Sequence, residues 1–168
     1  MCDLKKLVGS SEYSDRLIHE VYGLGKVTGQ KYGIELEVEG CGIDFGEHEQ
    51  LTKWHVVEDG SLRNNGREFV SKVLTKKEID KALEELNSVF AEFAQTHASF
   101  RCGTHIHYNM SDRTVQQALE FLLASLLFEN VLVAAFSPER RESVFCVSWS
   151  DTVGIHDIIR RRTNNGFR

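Results

Sequence analysis

Three glutamates alternate with three aliphatic residues in Tyr32-Gly33-Ile34-Glu35-Leu36-Glu37-Val38-Glu39. Strict alternation predicts a strand, because successive side chains then point to opposite faces. Glu35, Glu37 and Glu39 share one face, and Ile34, Leu36 and Val38 share the other. Same-face neighbours lie roughly 7 Å apart. Carboxylates in such a row repel unless water, arginines or cations neutralise them. A lone strand of this kind most often turns its acidic face to solvent. A second stretch shifts that balance. Arg101-Cys102-Gly103-Thr104-His105-Ile106-His107-Tyr108-Asn109 reads as another strand, with both imidazoles on one face. Carboxylates and imidazoles are ligands for divalent ions.

Each candidate has a plainer reading beside it. An His-x-His strand occurs in zinc enzymes, iron oxygenases and nucleotide ligases, and a histidine pair packed in a core has the same spacing. Gly103, just ahead of the pair, lets a ligand or another backbone approach closely. Cys102 and Cys146 could join the histidines in a zinc site, but Cys102 has the opposite strand parity to His105. Glu68 could complete an oxygen-rich site for magnesium with Glu35 and Glu37, or it could balance Arg63 or Arg67 on a hairpin surface. Arg140 and Arg141 offer planar, bidentate contact to phosphate or carboxylate; pairing with Glu139 and Glu142 is the simpler role. No serine stands in a nucleophile-elbow context. Nothing local lowers the pKa of Cys102 or Cys146 toward a nucleophilic thiolate.

The elements that must position these residues follow from period and punctuation. Ser14-Asp15 is read as the cap of a short helix through Tyr22, and Gly23-Leu24-Gly25-Lys26 as a turn into the acidic strand. Gly40 to Gly46 is a glycine-broken loop. Trp54 to Val57 is a second strand, and Glu58-Asp59-Gly60-Ser61 ends it. Asn64-Asn65-Gly66 signals a hairpin with Arg67 to Ser71 returning, Glu68 and Val70 pointing one way and Phe69 the other. Thr75-Lys76-Lys77-Glu78 has the form of a capping box. It opens a helix whose stripe is Ile79, Ala82, Leu83, Leu86, Phe90, Phe93 and Ala94. Asn109-Met110-Ser111-Asp112 is read as the cap of a longer helix striped by Val115, Ala118, Leu119, Leu122, Leu123, Leu126 and Leu127. Beyond Leu127 that helix is apolar nearly all round, so its end is expected to be buried. Pro138 stops it, Ser143 to Trp149 alternates like a strand, and Ile155 to Arg160 is a short helix before a basic tail. Hairpins and direct strand returns predict an α+β domain, a mainly antiparallel sheet with helices packed on one face, the one bearing Ile34, Leu36 and Val38.

The chain's 168 residues, 41% hydrophobic and 27% charged, are ordinary for one soluble domain with a real core. A net charge of -5 gives no general affinity for nucleic acid or for an anionic membrane. No N-terminal stretch has the form of a signal peptide. The run Phe121 to Phe136 carries Glu129 and Asn130 and reads as a buried core helix rather than a membrane span. Four scattered cysteines (Cys2, Cys41, Cys102, Cys146) fit reduced thiols in the cytoplasm.

Taken together, several of these pieces resemble one family, the phage-type amidoligases, ATP-dependent carboxylate–amine ligases of the glutamine synthetase superfamily. The resemblance rests on Gly33-Ile34-Glu35-Leu36-Glu37-Val38, Asp59-Gly60-Ser61-Leu62, Glu68-Phe69-Val70-Ser71, Cys102-Gly103-Thr104-His105-Ile106-His107 and Arg140 to Cys146, in that order. The fourth of these is similar to the Gly-x-His-x-His strand of glutamine synthetase itself. The resemblance implies a glutamine-synthetase-like sheet curved around ATP and Mg2+, in a catalytic domain of residues 31–168 behind an N-terminal extension of residues 1–30. It implies that a carboxylate takes the γ-phosphate as an acyl phosphate, and that an amine then displaces phosphate to form an amide. By position, Glu35, Glu37, Glu68 and His105 correspond to metal ligands, and Glu35, Arg140 and Arg141 to catalytic groups. His105, His107 and Arg140 correspond to nucleotide contacts, and Asp59 and Ser61 to a substrate-side contact. The substrates implied are small-molecule or peptide carboxylates and amines. Family members continue to a strand with a Glu-Phe-Arg-like element; this chain reaches Asn165-Gly166-Phe167-Arg168 without one, so a C-terminally truncated member is expected. Two other readings compete: a metal-dependent hydrolase or oxygenase using His105, His107 and one carboxylate, and a non-catalytic nucleotide-binding or interaction domain that keeps the fold.

Overall fold

Strand β1 (Tyr32–Val38) is the spine of an antiparallel sheet in the computed structural model, which describes residues 13–40, 51–92 and 97–136. The other strands are β2 (Trp54–Glu58), β3 (Arg67–Ser71) and β4 (Thr104–Tyr108), in the order β2-β3-β1-β4. Helix α1 (Ile18–Tyr22) precedes the sheet, α2 (Lys76–Glu92) lies in sequence between β3 and β4, and α3 (Val115–Phe136) follows β4. The architecture is α+β, as the hairpin and direct returns predict. Two compact units divide the chain: residues 28–109 hold the whole sheet and α2, and α1 and α3 belong to the other.

The sheet unit is built on the parity of β1. Ile34 and Val38 are buried, in one cluster with Trp54, Phe69 and Leu74 and with Ala82, Leu86 and Val89 of α2; Leu36 packs against its edge. Phe69 is opposite Leu36 on one side and Val56 on the other, so its ring occupies the middle of the sheet. It meets the Phe90 ring edge-on at 5.1 Å. The stripe expected for α2 is corrected at one position: Leu83 is exposed and Val89 is buried. Residues 82, 86 and 89 keep the helical i, i+4, i+7 spacing that one face requires. Phe93 and Ala94 lie outside the described residues. The Trp54 indole N–H donates to the Ala82 carbonyl at 2.8 Å, tying β2 to the helix.

Turn chemistry sets the boundaries. Asn64 and Asn65 take φ of 52° and 58°, a left-handed conformation that asparagine tolerates. A side chain at Gly66 would come within 2.5 Å of the Leu62 Cβ, so only glycine fits the close of the β2–β3 connection. At the start of α2, the Thr75 N–H and hydroxyl both donate to the Glu78 carboxylate, at 2.9 and 2.7 Å. With Lys53 at 3.1 Å, they lower the Glu78 pKa to about 2.

In the other unit, backbone hydrogen bonds from Ile18 and His19 to the carbonyls of Arg113 and Ser111 stitch α1 to the start of α3. The cap of α3 differs from the expected one. Thr114 and Gln117 form the reciprocal pair, each side chain accepting the other's backbone N–H at 3.1 Å. Ser111 instead bonds the backbone of Val27. Val115 and Leu119 are buried against Ile18, Val21 and Tyr22. The expected burial of the far end of α3 is not met: Leu127 is 82% exposed, and Phe128, Val131 and Leu132 are exposed as well. A helix as short as α1 reaches only the first turns of its longer neighbour. By length and composition alone, Val115–Ala135 is apolar enough to cross a membrane, a test that core helices of soluble proteins also pass.

Candidate metal centre

Register decides which polar side chains meet. Glu35 is opposite His105 on β4, and Glu37 is opposite Glu68 on β3. Directly opposed residues share a face of the sheet. Glu35, Glu37, Glu68, His105 and His107 therefore occupy the face opposite the core cluster. Ligand atoms of Glu35, Glu68 and His105 all lie within 4.8 Å of one another.

Glu35 is held at both oxygens. His105 Nδ1 lies 3.0 Å from Oε2, and His107 Nε2 lies 3.0 Å from Oε1. The bond from His105 and then that from His107 hold the Glu35 pKa below the ordinary carboxylate range. Glu68 is shifted the other way. Burial raises its pKa, and the charges of Glu35, Asp59 and Glu37 raise it further. Two carboxylates pushed apart in pKa, beside an imidazole, form a negative pocket that a divalent cation would relieve. The donor set suits an oxygen-preferring ion with one nitrogen ligand.

Glu37 lies beside this group with one oxygen already engaged. It is buried, and its Oε2 accepts the Gly103 backbone N–H at 2.5 Å. Glu39, expected on the acidic face of β1, is 4% exposed. Its Oε1 accepts the Arg63 N–H at 2.8 Å, the main reason its pKa is lowered. Alternation predicted its face but not its burial, because the covering loop comes from elsewhere in the chain. Asp59 is near enough to raise the Glu68 pKa, and its Oδ1 accepts the Ser61 N–H at 2.8 Å. The Ser61 carbonyl accepts from Arg101 Nη1 at 3.4 Å. Arg101 was not among the expected site residues; its only sequence signal is its place immediately ahead of Cys102-Gly103. Cys102 is buried, with its sulfur accepting the Ser99 N–H at 3.3 Å, and it is not among the grouped donors. Arg140, Arg141 and Cys146 lie outside the described residues.

The space at Gly103 is taken by the site itself. A Cβ there would sit 2.9 Å from His105 Nε2 and 3.2 Å from Glu37 Oε2. Gly103→Ala is expected to push the imidazole off Glu35 and to weaken divalent-ion binding ~10–100-fold, as loss of a supporting partner does. Calorimetric titration with Mn2+ checks this, and parental affinity would show that the ring needs no clearance there.

Glu68→Gln is expected to stabilise the metal-free protein at neutral pH. Like charges directly opposed across strands cost about 0.2–1 kcal/mol, worth up to roughly 2–4 °C in a chain of this size. The sign follows from the raised pKa. The folded form binds the proton more tightly, so Glu68 contributes most stability below the ordinary carboxylate pKa. That contribution is lost as pH rises through the raised value. Melts with a chelator should show the variant above the parent at pH 7, with the gap closing near pH 4. A variant that melts lower at pH 7 would mean that the charge is compensated in the folded protein.

A family model described as "Putative amidoligase enzyme" matches residues 15–165. No curated protein and no solved structure matches the chain.

Proposed function

Because this chain belongs to the amidoligase family, whose members are amide-bond-forming ligases, we propose that it joins a carboxylate to an amine at the expense of ATP. The observation that carries this reading is the meeting of Glu35, Glu68 and His105 on one sheet face in a chain of that family. In the reaction, the terminal phosphate of ATP passes to a carboxylate oxygen of the substrate, with ADP leaving. The amine nitrogen then attacks the acyl carbon, loses a proton and expels phosphate. Phosphoryl transfer asks little covalent help of a protein; it asks for positioning and for charge on the phosphate oxygens. A bound Mg2+ supplies that charge. Glu35, Glu68 and His105 are the residues that would hold it, with Glu37 beside them. His105 and His107 line the same face as nucleotide contacts. Asp59 and Ser61 are proposed on the substrate side, and Arg140 and Arg141 as the phosphate clamp. Carboxylates outnumber imidazoles among the grouped donors, which favours magnesium chemistry over a hydrolase or oxygenase built on His105 and His107.

The test is coupled release of ADP and phosphate when the full chain, Mg2+ and ATP are offered panels of small carboxylates and amines, with the amide product identified by mass. Turnover should require both substrates. A parallel melt should show that Mg-ATP raises the transition by mass action, about 2.7 kcal/mol at a hundredfold excess over Kd. No shift with Mg-ATP, together with a shift from zinc alone, would overturn the ligase reading.

A further inference from the structure

The carboxylate of Glu35 stands in a place it has reason to leave. Glu68 is close enough for each charge to oppose the other, and the Glu35 side chain is a quarter exposed. Free, it would turn toward water. Two imidazoles prevent this, and they are not equivalent. His105 belongs to the group whose donor atoms converge, and an ion bound through its Nδ1 would compete with its hold on Glu35 Oε2. His107 is outside that group. Its Nε2 contacts Oε1 at 3.0 Å, the oxygen that His105 does not touch. The ring reaches Glu35 across Gly33, its register partner, where a side chain would meet the His107 Cβ at 3.4 Å.

We infer that His107 is a positioning residue: it holds Glu35 beside Glu68 through Oε1, leaves Oε2 to a cation, and keeps this hold when His105 turns to the ion. Carboxylates that ligate metals are themselves hydrogen-bonded, and losing such a partner weakens binding without removing a ligand. The inference rests on the ligase reading for the identity of the ion, but the hold on Glu35 can be tested without it.

Two measurements on the full chain decide it. In the first, Mn2+ alone is titrated calorimetrically into the parent, His107→Ala and His107→Gln. Glutamine retains an N–H donor at comparable reach. His107→Ala should bind ~10–100-fold more weakly, His107→Gln should recover most of the loss, and metal-free melting points should barely move, since the side chain is 60% exposed. Parental affinity in His107→Ala would overturn the inference, as would an equal loss in both variants, which would mean that the ring contacts the ion directly. In the second, the imidazole nitrogens are followed by 15N NMR in metal-free protein. Glu35→Gln should shift the His107 signals as well as those of His105; unmoved His107 signals would overturn the inference. A parent that binds no Mn2+ but shows this coupling refutes the ligase reading and the cation's part, while the hold on Glu35 stands.

Discussion

Glu35→Gln is expected to reduce amide formation by ~100-fold or more, at or beyond the upper end of what losing a supporting partner of a metal costs. The change is nearly isosteric, so its force lies in charge and in donor count. In the parent, both oxygens accept from imidazoles at 3.0 Å. A glutamine presents one acceptor and one donor, so one imidazole must turn or change tautomer. The site also loses one of its two grouped carboxylates. Stability should respond weakly, because two opposing effects meet. Repulsion from Glu68 is relieved, and two half-exposed hydrogen bonds are altered, each worth about 1 kcal/mol or less. The pH dependence separates them. Glu35 has a lowered pKa, so its contribution is present above the ordinary carboxylate value and is lost as pH falls through the lowered one. Any difference in melting point between parent and variant at pH 7 should therefore shrink in strong acid. Activity is read from ADP release at the Mg2+ concentration that saturates the parent and again at tenfold higher Mg2+. Recovery at high Mg2+ would locate the loss in ion affinity. Parental turnover at both concentrations would remove Glu35 from the site.

What was legible in the sequence is what depends on near neighbours. The period-2 run from Tyr32 to Glu39 named its own two faces, since β geometry leaves no third choice. Asn64-Asn65-Gly66 announced a turn because those residues tolerate left-handed backbone. Glu68 and Phe69 were correctly split between the faces, and so were Glu35 and Ile34. Strand order was not legible. That Glu35 faces His105 on one side, and Val70 rather than Glu68 on the other, depends on β1 lying between β3 and β4 and on its register with each, which no local pattern encodes. For the same reason, the double hold on Glu35 and the occupied space at Gly103 could not be foreseen. Glu39 shows the limit from another side: its alternation is that of a solvated row, yet loop backbone from Arg63 covers it. On α3, the misplaced cap has a clear cause. Asn109 and Ser111 are good capping residues by type, but the Thr114–Gln117 pair alone has the box spacing relative to the first helical turn.

Phe69→Ala is expected to have the largest effect on stability, about 3–5 kcal/mol. Such a loss is a third or more of what many domains possess. Phe69 is wholly buried, between Leu36 and Val56 in register, with the Phe90 ring against its own. An alanine there leaves a cavity at the centre of the sheet, where paired strands on both sides resist collapse. Ile106→Ser is the matched control: Ile106 is apolar and on β4 of the same sheet but 71% exposed, so its change should stay within about 0.5 kcal/mol. Denaturant melts of the two variants compare them directly. The site should feel Phe69 only through folding. Its neighbour Glu68 lies on the opposite face, so folded molecules should keep the grouped donors in place. Phe69→Ala should then lose activity as the unfolded fraction grows with temperature, and Mg-ATP should restore part of it by binding the folded form. If activity falls well below the folded fraction, the core and the metal face are coupled through the shape of β3. If Phe69→Ala melts within a degree of Ile106→Ser, Phe69 does not occupy the core of the sheet.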